Sequence, residues 1–418
     1  MPYTITTPLD GLRVLTIPND QEIASVAIYC DMGAARETEE ENGLSHFFEH
    51  MVFKGTPTRT AFDIASDMEI DGTETNAFTA YDMTCYFGNC LSSNINSTLE
   101  VLADAVRNSI FADEDVALER NVVCQEIAKY NDDLDAVAYY GLLEMIYPDQ
   151  PAGREILGTE ERVQGFTSDD LRKFVNDNYH ANNLIVACTG KVDHEEFSAK
   201  VVELFNGHPT GETREVVPAV FNSAQKVITK ADTEQAQIYI AYELPNTSPH
   251  SREHATNRMV NYILGGGMSS PLFSEVRENR GLCYSVYSFV GHNRSGSFFG
   301  IGGGTTPENT EEFIRVASEQ LVRVANGEFT ETDHTRALNT FKVMEAKATT
   351  RAKGNMDNVV QSIFWTGQVV TPQERMAQLE SITREEIIQA AKAIVASKRS
   401  IILAGNADPE TDYLSMVA

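Results

Sequence analysis

His46, Glu49 and His50 stand within five residues of one another, in GLSHFFEHMVFKGT. On a helix, positions i, i+3 and i+4 share a face, so two imidazoles and a carboxylate point at one spot. Two histidines four apart bind one zinc ion and leave room for a third protein ligand and a water. The order H-x-x-E-H is the reverse of the zinc-hydrolase motif H-E-x-x-H. The third ligand is expected in ALERNVVCQEIAKY, where Glu119 and Glu126 lie seven apart and so stack two turns apart on one helical face. Glu126 completes the coordination, and Glu119 orients a ligand histidine through a hydrogen bond. The expected chemistry is hydrolysis: zinc acidifies water and polarises a carbonyl, while Glu49 takes the proton and passes it to a leaving amine. The motif helix also carries Leu44, Phe47, Phe48, Met51, Val52 and Phe53. A segment that apolar is buried, and three titratable groups on it need partners or a metal.

The elements that must hold these residues are legible in outline. Residues 12–33 alternate as strands do, the motif helix stops at Gly55, and a second helix is expected over 61–71. NAFTAYDMTCYFGNCL reads as a pair of strands. Helices are expected at 94–109 and 113–146, the latter capped by Asp113, and SDDLRKFVNDNYH precedes the strand NNLIVACTG. The Gly- and Pro-containing stretch NGHPTGETREVVP marks a linker. It divides the chain into an N-terminal zinc-binding domain, 1–208, a linker, 209–218, and a C-terminal domain, 219–418.

Beyond the linker the order of elements recurs. YFGNCLSSNINSTLEVL resembles FFGIGGGTTPENTEEFI, FADEDVALERN resembles FTETDHTRALN, and FTSDDLRKF with LIVACTGKVD resembles ITREEIIQA with IILAGNAD. The matches are collinear, which implies an internal duplication into two homologous halves. Strands and helices mix without strict βαβ alternation, so the fold class is α+β, each half an α/β sandwich. The duplication is its own control. HFFEH maps to roughly NRMVN in the second half, and Glu126 to about Met344, so the repeat keeps neither histidine nor acid at those places.

With 418 residues the chain exceeds a single core, and 61 acidic against 33 basic side chains leave a net charge of −28. A surface that acidic repels phosphate backbones and anionic lipid, so no nucleic-acid partner is expected. MPYTITTPLDGLRVL has no basic n-region or apolar h-region, so no secretory signal is expected, and no apolar run is long enough for a membrane span. The six cysteines lie mostly in apolar runs, as buried thiols of a cytoplasmic protein do. The Gly-rich GGGM and GGG lack a phosphate-binding pattern, and the remaining histidines have no ligand spacing.

Taken together, GLSHFFEHMVFKGT, NAFTAYDMTCYF and ERNVVCQEI resemble the pitrilysin-type (inverzincin) metallopeptidases, most nearly the mitochondrial processing peptidase and its bacterial relatives. The resemblance spans essentially the whole chain. It implies a zinc endopeptidase acting on peptides or unfolded segments in an enclosed chamber, with His46, His50 and Glu126 as ligands, Glu49 as base and Glu119 as a second acid. LFSEVRENRGLCYSV matches the family's second motif, which implies that Arg277 and Tyr284 contact substrate. Without the resemblance Arg277 reads as a solvated helix residue and Tyr284 as core. Asn76, Ala77 and Phe78 resemble the edge strand that pairs with a bound peptide. MEIDGTETNAFT is more acidic than the family pattern, which unsettles the usual side-chain preference. Family members join four such halves, so a homodimer is implied. Two other readings are a non-catalytic assembly paralogue of the same fold and a zinc enzyme acting on a small molecule.

Overall fold

The computed structural model describes residues 3–230, 233–350 and 352–418. Its first sheet contains β1 (Thr4–Thr6), β2 (Arg13–Pro18), β3 (Ile23–Cys30), β4 (Glu74–Thr79), β5 (Thr84–Leu91) and β6 (Leu184–Gly190), in the order β1-β2-β6-β3-β5-β4. Its second contains β7 (Gln225–Thr229), β8 (Ala236–Leu244), β9 (Cys283–His292), β10 (Ser297–Thr305) and β11 (Arg399–Gly405), in the order β7-β11-β8-β10-β9. Apart from β1, the orders superpose strand for strand. In each sheet the single parallel pair is the corresponding one, β2 with β6 and β7 with β11. The fold is thus a duplicated α+β unit.

Two compact units result, built from exchanged segments. Unit 1 comprises 1–128, 155–217 and 348–364; unit 2 comprises 129–154, 218–347 and 365–418. Contiguous halves divided at 209–218 differ from these units in the two exchanged segments. The stretch 208–224 itself forms no helix or strand. Burial explains the exchange. β3 is buried at every position after Ile23, so its sheet must be covered on both faces. Val26, Ile28 and Cys30 enter the core with Phe47, Phe48, Leu99 and Val201. On the other face Tyr29 donates to Asp357 at 2.6 Å, from the helix Ala352–Thr366.

The helices around the first motif are α1 (Leu44–Met51), α2 (Ala61–Ile70), α3 (Ile95–Asn108), α4 (Asp113–Asp132) and α5 (Leu134–Ile146). The single helix expected over 113–146 is two. Asp133 is extended (φ −86°, ψ 112°), and its carboxylate caps α5 by accepting from the backbone N–H of Asp135 and Ala136. Asp113 is the first residue of α4, not a flanking cap, and its carboxylate accepts the Ser168 hydroxyl. The break frees α5 to cover the second sheet, where a Cβ on Gly141 would meet Ile402 at 2.8 Å and Ile228 at 2.9 Å.

Candidate metal centre

Two features fix the start of α1. Gly43 has φ +101°, and a Cβ there would meet the Leu157 carbonyl oxygen at 2.7 Å; only glycine fits. Gly43 has no side chain to cap the helix, and the buried Glu37 carboxylate does so instead. It accepts from the backbone N–H of Gly43 at 2.8 Å and of Ser45 at 2.7 Å. Burial pushes the Glu37 carboxyl above its ordinary range, and those N–H bonds oppose the shift. Rotation about the helix axis is set by Phe47 and Phe48, both fully buried. Phe48 stands edge-on to Tyr86, Phe111 and Tyr179. The remaining face presents His46, Glu49 and His50 to α4.

There the donors converge. A Glu126 oxygen lies 3.7 Å from His46 Nε2 and 3.4 Å from His50 Nε2, and the ligand atoms of all three residues fall within 4.8 Å of one another. Tetrahedral zinc with bonds of about 2.0–2.2 Å needs ligand separations of about 3.3–3.6 Å. His46 is 8% exposed, and its Nδ1 is buried without a hydrogen-bond partner. Burial, helped by the neighbouring His50, pushes the His46 imidazole down to about 3, which keeps it in the neutral form a metal requires. Two nitrogens and one carboxylate oxygen are a suitable donor set, so the residues fit zinc. No other group of His, Cys, Asp or Glu converges in this way among the described residues.

The surroundings arrange the set. Glu119 accepts from His50 Nδ1 at 3.1 Å, which turns Nε2 toward Glu126. Lys54 forms an ion pair with the other Glu119 oxygen. Glu49 accepts the Thr79 hydroxyl at 2.5 Å. Its carboxyl is raised chiefly by burial and to a lesser extent by Glu126, with the Thr79 bond and His50 opposing. A cleft of about 420 Å³ adjoins these groups, with Glu49, His50 and Glu119 on one side and Ile64, Met68 and Ala77 on another. Asn76 and Ala77 also line it. They belong to β4, the terminal strand of its sheet, bonded only to β5. Phe78 faces elsewhere, under the Lys353 ammonium at 4.7 Å. Thr79, Lys54, Glu37 and Lys353 were not foreseen. Lys54, four residues beyond His50, had a spacing signal; the others had none.

In unit 2, Arg277 lies on the π-helical turn Phe273–Glu278, its guanidinium 4.6 Å from the Phe273 ring and 5.0 Å from the Tyr284 ring. Tyr284 is 81% exposed, not the core residue its apolar surroundings in sequence suggest. The counterparts of α1 and α4 are the helices Arg252–Gly265 and Glu331–Thr350. The Tyr262 hydroxyl meets Met344 where His50 meets Glu126, so the register falls one residue past Asn257–Asn261. Arg258 and Tyr262 occupy the histidine positions.

A duplicated α+β fold with an imidazole–carboxylate grouping among the described residues of unit 1 defines the structural class of the protein. Sequence comparison specifies it. Residues 13–160 match the profile of Insulinase (Peptidase family M16), and residues 165–341 that of the Peptidase M16 inactive domain. A relative from Rickettsia felis named an uncharacterized zinc protease is 32% identical over 97% of this chain and 98% of its own. One from Bacillus subtilis, also named an uncharacterized zinc protease, is 30% identical over 94% and 96%. The chain belongs to peptidase family M16. Solved structures of a protease from Helicobacter pylori (TM-score 0.89, 19% identity, covering 96% of this chain and 99% of that one) and of a peptidase M16 inactive domain from Pseudomonas fluorescens (TM-score 0.88, 18%, covering 98% and 99%) share the fold. No helix among the described residues is long and apolar enough to cross a membrane.

Proposed function

We propose that this chain is a zinc-dependent endopeptidase of the bacterial cytoplasm, cleaving peptides or unfolded segments within a chamber formed by a homodimer. The observation that carries the reading is the convergence of His46, His50 and Glu126 in unit 1, with Glu119 behind His50 and Glu49 beside it. His46, His50 and Glu126 would hold the metal, which when bound supplies Lewis acidity toward a carbonyl oxygen and acidifies water. Glu49 accepts the proton of the attacking water and delivers it to the leaving amine. Its raised proton affinity suits a group that must hold a proton between the two steps. The Thr79 hydroxyl fixes one Glu49 oxygen and leaves the other for the water. The open edge of β4 offers unpaired backbone groups beside the cleft, for an extended peptide at Asn76, Ala77 and Phe78. Arg277 and Tyr284 would hold the substrate carbonyl or backbone, since both present polar groups from a single stacked pair.

The test is metal content with turnover. Purified protein should hold about one zinc per chain. Glu49→Gln should keep the metal and lose nearly all peptide cleavage, whereas His50→Ala should lose both. Cleavage by Glu49→Gln at near wild-type rate would refute the base. A zinc-loaded wild type that cleaves no peptide from a mixed library would favour the assembly paralogue, and turnover of small non-peptide compounds alone would favour the third reading.

A further inference from the structure

Lys54 lies outside α1 yet reaches the metal centre. It follows the helix by three residues, in a turn where its backbone N–H donates to the Met51 carbonyl at 3.1 Å. Gly55 then takes φ +149° and pairs with Thr60, which leads the chain away toward α2. The Lys54 side chain is left against α4, where its ammonium forms the ion pair with Glu119.

The pair completes a chain of contacts. Glu119 is 6% exposed. One of its oxygens accepts from His50 Nδ1 at 3.1 Å, and the other holds Lys54. A carboxylate tied at both oxygens has its plane fixed, and the direction in which His50 points its N–H is fixed with it. The site is also crowded with acid. Glu49, Glu119 and Glu126 bring three carboxylates to two histidines, and among the described residues Lys54 is the only lysine or arginine that pairs with any of them. A buried carboxylate stripped of its only cation is strongly disfavoured.

Unit 2 shows the same positions where the histidines are gone. In the register that sets Arg258 and Tyr262 against His46 and His50, and Met344 against Glu126, Gly266 falls at Lys54 and Ala337 at Glu119. Ala337 is 3% exposed, so that position stays inside the unit with no polar group on it. The lysine and the acid are present together beside the ligand set and absent together without it. A pair serving only the packing of α4 on α1 has the same use in both units. We propose that Lys54 is a positioning residue: through Glu119 it holds the His50 ring in the orientation that presents Nε2 to the metal. The inference rests on the reading of His46, His50 and Glu126 as a zinc set.

The experiment measures zinc affinity on the full chain, stripped of metal and titrated with zinc against a chromophoric chelator. Loss of a group that orients a ligand from behind weakens metal binding about 10–100-fold. Lys54 stands one contact further out, so Lys54→Met should weaken zinc by about tenfold, the lower end of that range. Lys54→Arg, which keeps a cation, should recover to within about threefold of wild type. In a Glu119→Gln background Lys54→Met should have no further effect, because the path it acts through is already cut. A wild type that binds no zinc would overturn the metal centre and this proposal with it. Equal zinc binding by wild type and Lys54→Met, with or without a change in cleavage, would overturn the role of Lys54 alone. Tighter zinc in Lys54→Met would reveal a bare charge opposing the metal, and equal losses with and without the Glu119 carboxylate would reveal an action independent of it; either result also overturns the positioning role.

Discussion

Acidification should destabilise unit 2 through a cluster of histidines that its interior cannot charge. The His254 ring lies 4.4 Å from that of His292, tilted by 53°, and His292 stacks on Trp365 at 4.5 Å with the planes 12° apart. Both ring nitrogens of His250 are buried without partners. Burial above all, with His292, Arg258 and His250 adding, pushes His254 down to about 3. Burial, with Arg375, His292 and Arg258, pushes His250 down to about 4. In the unfolded chain each titrates near 6.5. Below that pH the unfolded state binds protons that the native state refuses, so stability is full above about 6.5 and falls as pH drops toward 4. Each histidine contributes a slope of at most about 1.4 kcal/mol per pH unit, so the pair gives a ceiling of about 4 kcal/mol at pH 5. Both rings keep some solvent contact, and screening brings the effect below that ceiling. Trp365 is the sole tryptophan, and its fluorescence reports on the cluster directly. Urea melts at pH 7 and pH 5 should show the wild type losing stability and a His250→Phe/His254→Phe variant losing markedly less. Phenylalanine keeps the rings and removes the titration, and all other ionisable groups are common to both proteins. Equal losses in wild type and variant would refute the assignment.

Glu37→Gln removes the charge-assisted cap of α1 and should cost about 1–3 kcal/mol by thermal unfolding, with weaker zinc retention because the helix that presents both histidines is loosened. In the family arrangement, Arg277 and Tyr284 of one protomer would serve the zinc site of the other. Homodimers of Glu49→Gln and of Arg277→Ala should then each be nearly inactive, and mixing them with confirmed subunit exchange should restore about a quarter of wild-type activity by random pairing; activity that stays at the level of the parents would exclude a shared site. With 61 acidic side chains on the chain, matched basic peptides should be cleaved faster than acidic ones at low salt, and the difference should shrink as salt rises; equal rates at low salt would remove charge as a determinant.

The residues that converge as a metal set were legible in sequence because helical periodicity is local. His46, Glu49 and His50 share a face through the 3.6-residue repeat alone, and the same repeat aligns Glu119 with Glu126. The duplication was legible because homologous segments keep their order, and the two strand orders repeat it. Periodicity says which residues share a face, but not which face meets which. That Thr79 bonds Glu49, that Lys54 pairs with Glu119, and that Glu37 caps α1 are contacts between separate elements, set by how the elements pack. The exchange of 129–154 and 348–364 between units likewise follows from the need to cover two buried sheets, a demand that falls on no single segment. Tyr284 looks apolar in its strand and stands in solvent; it is the residue skipped where the register between β9 and β10 shifts, from Ser285 opposite Gly304 to Cys283 opposite Thr305.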